Sequence, residues 1–149
     1  MIDVMLRYER VTPDLSAIRD FFYETDEEFD IPLSQKVDVD EYTMKLYEYS
    51  DFYVCFDGVD IAGLICCYTN RPPDAYISHV CVRREYQSRG IFKRMLGILK
   101  DYCMDNQINT ISLEVAHKNL RARTVYERLG FVLESEREES SILKLKLVR

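Results

Sequence analysis

The first part of the chain combines helical and strand-like patterns of apolar residues. Pro13 and Asp14 precede apolar positions that recur every three or four residues, a spacing that predicts an amphipathic helix: Leu15, Ile18, Phe21 and Phe22. A short strand is expected before this helix, around residues 4–8. A loop through Asp30-Ile31-Pro32 and a second helix, from about residue 39 to 49, are expected after it.

The middle of the chain predicts a hairpin and a further strand. Residues 52–56 and 61–68 are two apolar runs separated by Asp57-Gly58, a turn dipeptide whose glycine tolerates positive φ. Pro72-Pro73 interrupts the pattern, and residues 75–82 again alternate as a strand does.

The last part predicts two helices and three strands. Residues 90–106 and 120–129 have helical spacing, and Gly130 is the expected end of the second helix. Residues 110–116, 131–134 and 142–148 are the expected strands. The whole order, β-α-α-β-β-β-α-β-α-β-β, predicts an α/β layered domain around a mixed sheet.

Composition narrows the class of protein. The chain has 149 residues, of which 47% are hydrophobic, so we expect a single domain over residues 1–149 with one core. No apolar run approaches the ~20 residues of a membrane span, and Met1-Ile2-Asp3-Val4 lacks the pattern of a secretory signal. The cysteines number five and show no metal-ligand spacing, which favours reduced core thiols in a cytoplasmic protein without a metal site.

Charge is unevenly distributed along the sequence. The net charge of −6 argues against a nucleic-acid partner. Residues 26–30 are mostly acidic, whereas a basic cluster lies in the middle of the chain: Arg83, Arg84, Arg89, Lys93 and Arg94. Most charge runs are solvated faces, but a basic cluster in an acidic protein also fits an anionic ligand.

Residues 79–94 place a strand, a polar loop and a glycine ahead of a helix. Backbone N–H groups at a helix start, together with the helix dipole, attract phosphate, and Gly90 allows an anion to approach the main chain. An ordinary strand-to-helix turn with surface bases remains the alternative. The loop has neither the glycines of the dinucleotide fingerprint nor the Gly-Lys-Ser/Thr of a P-loop.

Two blocks in the second half of the chain carry motifs. Gln87-x-x-Gly90, after a strand ending Val80-Cys81-Val82, resembles the acetyl-CoA pyrophosphate motif Q/R-x-x-G-x-G/A of the GNAT superfamily of N-acetyltransferases, with Phe92 as a departure at the last position. Leu113-Glu114-Val115, followed by Asn119 as the expected cap of a helix, then Tyr126 and Gly130-Phe131, resembles a second family segment. The resemblance covers roughly residues 50–135.

The resemblance implies a fold and a set of cofactor contacts. The fold is a mixed, mostly antiparallel sheet with splayed parallel strands four and five, flanked by about four helices. The implied co-substrate is acetyl-CoA, whose pantetheine would bond the backbone of the first splayed strand and whose pyrophosphate would bond the loop. The implied cofactor-binding residues are Val80, Cys81, Val82, Gln87, Ser88, Arg89, Gly90, Ile91, Phe92, Lys93, Asn119 and Tyr126.

The resemblance also implies catalytic roles. Tyr126 would be the general acid for the departing thiolate, because an unperturbed phenol is protonated at neutral pH; the alternative is that Tyr126 only packs. The amine must lose a proton, and Glu114, His79 or solvent would accept it. Backbone N–H groups near Val80 would meet the developing oxyanion charge.

We therefore expect an N-acetyltransferase that moves the acetyl group of acetyl-CoA to a primary amine by direct attack in a ternary complex. The acidic residues 26–30 are candidates for facing a cationic amine, on a small molecule or a protein. Transfer of a longer acyl group, or a non-catalytic acyl-CoA-binding sensor or structural subunit, are the alternatives. The sequence does not select the acceptor, and it leaves a homodimer open.

Overall fold

The computed structural model describes residues 5–29 and 31–148, and within them the predicted order of elements is confirmed. The strands are β1 (Leu6–Arg10), β2 (Asp51–Asp57), β3 (Asp60–Arg71), β4 (Asp74–Val82), β5 (Thr110–Ala116), β6 (Val132–Glu136) and β7 (Ser140–Lys146). The helices are α1 (Leu15–Thr25), α2 (Val39–Tyr49), α3 (Ile91–Asp105) and α4 (Leu120–Arg128). The expected start of the first strand at Val4 lies outside the described residues.

The strands form a mixed sheet in the order β1-β2-β3-β4-β5-β7-β6. The pairs β1–β2, β5–β7 and β6–β7 are antiparallel, and β4–β5 is parallel. Two residues connect β2 to β3, and two connect β3 to β4, connections too short for anything but antiparallel neighbours. The sheet is therefore mostly antiparallel with strands four and five parallel, which confirms the expected fold class.

The parallel pair is joined over only part of its length. Asp74–Ile77 pairs with Thr110–Leu113, although β4 continues to Val82 and β5 to Ala116. Beyond Leu113, β5 stays paired with β7 through Ala116 and Ser140. The strands expected to splay do so after Ile77.

The described residues belong to two compact units, and the expectation of a single domain over the chain remains a prediction. The first unit runs to Cys66 and includes His79–Leu99. It contains β1, β2, α1 and α2, with parts of β3, β4 and α3. Its core is formed by fully buried apolar and aromatic side chains, among them Ile18, Phe21, Phe22, Leu46, Tyr53, Leu64, Ile65, Met95 and Leu96.

The second unit comprises Cys67–Ser78 and the chain from Lys100 onward. Its core is formed by residues from β4, β5, β7, the end of α3 and the segments that precede β5 and β6, among them Ile77, Cys103, Ile108, Ile111, Leu113, Val115, Phe131 and Leu143. All five cysteines of the chain are free and buried, as expected. None of the described helices is long and apolar enough to cross a membrane.

Candidate cofactor-binding and catalytic sites

The loop between β4 and α3, in the first unit, turns through two residues with left-handed backbone. After a short 3₁₀ turn at Arg84–Tyr86, Ser88 has φ 67° and Gly90 has φ 75°. A Cβ added at Gly90 would meet no heavy atom within 4 Å, so the space beside this residue is open. Glycine adopts such a backbone at the least steric cost, which explains a glycine at position 90 of the turn.

The start of α3 directly follows Gly90. The Arg94 N–H donates to the Gly90 carbonyl over 3.2 Å, which is the first bond of the helical ladder. The N–H groups of the first turn therefore point out of the helix start, where the helix dipole is positive. Ile91 is buried and fixes this turn to the core, while Lys93 is exposed. This arrangement suits a phosphate group.

Two arginines near the loop are held by neighbouring groups. The guanidinium of Arg89 donates to the Glu85 carbonyl over 3.2 Å and lies 5.2 Å from the centre of the Tyr86 ring. The guanidinium of Arg94 lies 5.6 Å from the centre of the Tyr8 ring. Contacts of this kind position the positive charges before a ligand binds.

Arg83 anchors the beginning of the loop. Its backbone N–H donates to the Ala62 carbonyl over 2.8 Å, and its Nε donates to the Ile61 carbonyl over 2.7 Å. The guanidinium also pairs with Glu24 of α1 at 2.8 Å and lies 4.8 Å from the centre of the Phe21 ring. Arg83 is therefore a structural brace rather than a cation available to an anionic ligand.

Three further side chains hold the loop. Glu28 Oε1 accepts the Arg84 backbone N–H over 2.7 Å. The Tyr86 hydroxyl donates to Asp57 at the end of β2. Gln87 Nε2 donates to the Val82 carbonyl over 3.1 Å, so the motif glutamine bonds its own strand end. Sequence reasoning missed the roles of Glu28 and Asp57, because hydrogen bonds between segments distant in the sequence leave no local pattern.

Of the acidic residues 26–30, Asp30 lies outside the described residues, and some of the others are engaged within the protein. Asp26 accepts the Ser34 backbone N–H over 2.9 Å and its hydroxyl over 2.6 Å, and these bonds lower the pKa of the Asp26 carboxyl. Glu28 bonds the Arg84 backbone. Glu27 is exposed. The expectation that this segment faces a cationic amine is not tested by these contacts, but two of its carboxylates already have partners.

The strand expected to contact the cofactor, Val80 to Val82, runs close beside β3. A Cβ at Gly63 would lie 3.1 Å from the Cys81 carbonyl oxygen and 3.3 Å from the Val82 Cα, so a side chain there would crowd the backbone of β4. Cys81 is buried, and burial raises the pKa of its thiol to about 12. The thiol therefore stays protonated, and any role of Cys81 in binding falls to its backbone.

His79, just before this strand end, is buried among aromatic side chains. Its ring centre lies 4.7 Å from that of Phe22, 5.6 Å from Phe29 and 6.0 Å from Tyr42. Burial and, less strongly, the charge of Lys36 lower its pKa to about 4. Its Nε2 has no hydrogen-bond partner among the described residues. The imidazole is neutral at pH 7 and is a weak base.

Tyr126, the expected general acid, lies on α4 in the second unit. The side chain is partly buried, and its ring centre lies 5.8 Å from that of Phe131. Burial raises the pKa of the Tyr126 hydroxyl to about 12. The phenol is therefore fully protonated at neutral pH, as a proton donor must be.

Glu114, an expected base, is exposed on β5 of the second unit and accepts a hydrogen bond from the Ser140 hydroxyl of β7. The pKa of Tyr76 is raised by burial and, less strongly, by the nearby negative charge of Glu114. The carboxylate is thus oriented by a neighbouring strand and open to solvent. The role of Ser140 has no signal in the sequence, since β5 and β7 meet only in the sheet.

Asn119 and His117 precede α4 and both make structural contacts. Asn119 Oδ1 accepts the Ala122 N–H over 3.2 Å, which confirms the expected helix cap. His117 Nε2 lies 2.8 Å from Glu136, and this bond is the main cause of a lowered pKa at Glu136. The cofactor contact implied for Asn119 is not tested by this geometry.

The model of the acetyltransferase (GNAT) family matches residues 15–131 of the chain. The chain belongs to the GNAT family. No curated protein sequence matches it significantly. Among the described residues, no group of three or more histidine, cysteine or acidic side chains is arranged to hold a metal ion.

Solved structures show the same fold at low sequence identity. Ard1 from Thermoplasma volcanium has a TM-score of 0.82 and 14% identity, covering 98% of this chain and 100% of its own. The ribosomal-protein-S18-alanine N-acetyltransferase from Escherichia coli has a TM-score of 0.78 and 20% identity, covering 97% and 96%. The PaiA N-acetyltransferase from Thermoplasma acidophilum, in complex with coenzyme A, has a TM-score of 0.76 and 14% identity, covering 95% and 98%.

Proposed function

We propose that this GNAT protein is an N-acetyltransferase that moves the acetyl group of acetyl-CoA to a primary amine by direct attack in a ternary complex. The observation that carries the proposal is the turn at Ser88 and Gly90, with its open space, immediately before α3. Two structural neighbours named as N-acetyltransferases, one of them in complex with coenzyme A, support the same activity.

The residues of the first unit fit the chemistry of coenzyme A. The first-turn N–H groups of α3, with Lys93 and Arg89 nearby, suit a pyrophosphate. The backbone of Val80 to Val82 would bond the pantetheine arm as an added strand does, with the N–H near Val80 placed for developing oxyanion charge. Phe92 departs from the motif, but this contact needs only the backbone N–H of that residue.

Tyr126 is the proposed proton donor. Bound acetyl-CoA supplies an electrophilic thioester carbonyl and a thiolate leaving group. The Tyr126 hydroxyl would protonate the departing sulfur, which makes the thiolate a better leaving group and prevents its return. A phenol whose pKa is about 12 always carries the required proton at neutral pH.

Glu114 is the proposed proton acceptor, in preference to His79. His79 is buried and shielded by three aromatic rings, so an amine has poor access to its imidazole. Glu114 is exposed and oriented by Ser140, so it can accept the amine proton directly or through water. Substituting Glu114→Gln should therefore lower kcat/KM most on the acid side of the pH–rate profile, whereas proton loss to bulk solvent alone predicts an unchanged profile.

Two measurements on the wild-type protein test the function. Coenzyme A and acetyl-CoA should raise the melting temperature, because they bind the folded state, while NAD and ATP should do much less. Acetyl-CoA should then be consumed with release of free thiol in the presence of some member of a panel containing a protein N-terminus, lysine, a polyamine, an amino sugar and an aminoglycoside.

The outcomes separate the alternatives. No thermal response to millimolar coenzyme A would remove the cofactor assignment. A strong response without thiol release from any amine would contradict the transferase and fit a non-catalytic acyl-CoA-binding protein. Faster thiol release with a longer acyl-CoA would support acyl transfer to an amine with that longer acyl-CoA, rather than acetyl-CoA, as the donor.

A further inference from the structure

Glu28 lies on a short 3₁₀ turn that follows α1, yet its carboxylate contacts the cofactor loop. Oε1 accepts the Arg84 backbone N–H over 2.7 Å, and Arg84 is the first residue of the 3₁₀ turn that leads to Ser88 and Gly90. Glu28 also acts on the cofactor strand, because its charge contributes, after burial, to the raised pKa of Cys81. Both residues it affects belong to the same compact unit as Glu28.

The negative charge of Glu28 by itself makes its position unfavourable for the binding of an anionic ligand to the loop. A carboxylate beside a loop that binds pyrophosphate repels the ligand, so its retention there needs a compensating role. The hydrogen bond supplies one: a backbone N–H bonded to a charged acceptor is among the stronger hydrogen bonds in proteins. That bond fixes the 3₁₀ turn from which the phosphate-binding N–H groups follow.

We propose that Glu28 is a positioning residue for acetyl-CoA, which holds the loop of residues 84–90 in its binding geometry through the Arg84 N–H. This inference rests on the proposed function, because it assumes that the loop binds coenzyme A. In this role Glu28 acts through its hydrogen bond with the Arg84 backbone rather than by contact with the ligand.

The proposal and simple charge repulsion predict opposite changes in coenzyme A affinity when Glu28 is replaced by alanine. If Glu28 positions the loop, Glu28→Ala weakens coenzyme A binding about tenfold, since the loop must then be ordered by the ligand. If its charge only repels the ligand, Glu28→Ala tightens binding. Glu28→Gln removes the same charge but keeps an acceptor oxygen, so positioning predicts an affinity within about twofold of the wild type. Glu27→Ala removes an adjacent exposed carboxylate and is the matched control.

A second pair of variants deletes the donor instead of the acceptor. Arg84→Pro removes the N–H, and proline is well tolerated at the first position of a helical turn and after an extended residue such as Arg83, whose ψ is 143°. Arg84→Ala removes the same side chain and keeps the N–H. Arg84→Pro should bind coenzyme A about tenfold more weakly than Arg84→Ala, and adding Glu28→Ala should cost little more.

Isothermal titration with coenzyme A on the full chain decides, with circular dichroism and melting temperature to show that each variant is folded. Weaker binding in both Glu28→Ala and Arg84→Pro, with rescue by Glu28→Gln, supports the proposal. Unchanged or tighter binding in Glu28→Ala, or equal affinity of Arg84→Pro and Arg84→Ala, overturns it. If Glu28→Ala does not fold, the Arg84 pair decides alone. A wild-type protein that fails to bind coenzyme A would instead refute the proposed function.

Discussion

Two helices of this protein follow neighbouring parallel strands, and their N-termini are built differently. α4 begins after Asn119, whose side chain accepts an N–H of the first turn. α3 begins after Gly90, which has no side chain and has φ 75° beside open space. One helix start is capped by a side chain of the protein, whereas the other begins after a glycine with open space beside it. A capped start stabilises its helix locally, and an open start leaves room for an anion to approach the main chain.

The two candidate bases also differ in how far the protein encloses them. His79 is enclosed by Phe22, Phe29 and Tyr42, and its pKa falls to about 4. Glu114 is exposed and accepts a hydrogen bond from Ser140. Burial has turned the histidine into a core residue with little basicity, whereas the carboxylate keeps its access to solvent.

The largest expected effect concerns Tyr126. Tyr126→Phe removes one hydroxyl and little volume, so coenzyme A affinity and melting temperature should change little while kcat falls by ~10²-fold or more. Steady-state kinetics beside isothermal titration measures this split. Tyr47→Phe, an exposed tyrosine on α2, is the control. Unchanged kcat in Tyr126→Phe would leave Tyr126 with a packing role only.

The second-largest expected effect is the loss of folding stability at acid pH that His79 causes. Its folded pKa of about 4 lies below the unfolded value near 6.5, so the unfolded state binds more protons in this interval and stability is lost as pH falls from 6.5 to 4. Once His79 is fully protonated, its pKa shift corresponds to a loss of roughly 3 kcal/mol in the free energy of unfolding. His79→Phe should flatten this loss in denaturant unfolding measured at several pH values. Equal steepness in wild type and His79→Phe would contradict the assignment.

The third effect tests the open helix start. Gly90→Val places a β-branched residue at positive φ and should weaken coenzyme A binding at least tenfold. Gly58→Val is the matched control, because Gly58 has φ 63° and open space but lies in the β2–β3 turn. Both variants should lose stability, and only Gly90→Val should lose the thermal response to coenzyme A. Equal responses would place the phosphate elsewhere.

The smallest expected effect concerns the N-terminus of α4, which Asn119 caps. Asn119→Ala removes a helix cap and should lower the free energy of unfolding by about 1 kcal/mol. Asn119→Asp keeps the cap and should be close to the wild type in stability. Neither should alter coenzyme A affinity if Asn119 is purely structural. Weaker binding in both variants would show that the amide also contacts the cofactor, as the family resemblance implies.

Much of the fold was predictable from local patterns. The helical spacing around Ile18 and Met95, the Asp57-Gly58 turn and the Asn119 cap each depend on neighbours in the sequence, and each was confirmed. Element ends were less accurate: the last strand is Ser140–Lys146 rather than residues 142–148. Pairing with β5, which extends to Ser140, sets that boundary rather than local apolar content.

The candidate site was predictable as far as its contacts are local in the chain. The order of strand, loop, Gly90 and helix is written in consecutive residues, because a helix start and its turn form from neighbours. Other contacts join residues that are distant in the sequence. They include the aromatic rings around His79, the hydrogen bond from Arg84 to Glu28 and the hydrogen bond from Ser140 to Glu114. The sequence by itself determined which backbone could receive a phosphate. Only the tertiary structure decided the protonation state of His79 and which carboxylates brace the loop, because burial and long-range hydrogen bonds exist only once the chain has folded.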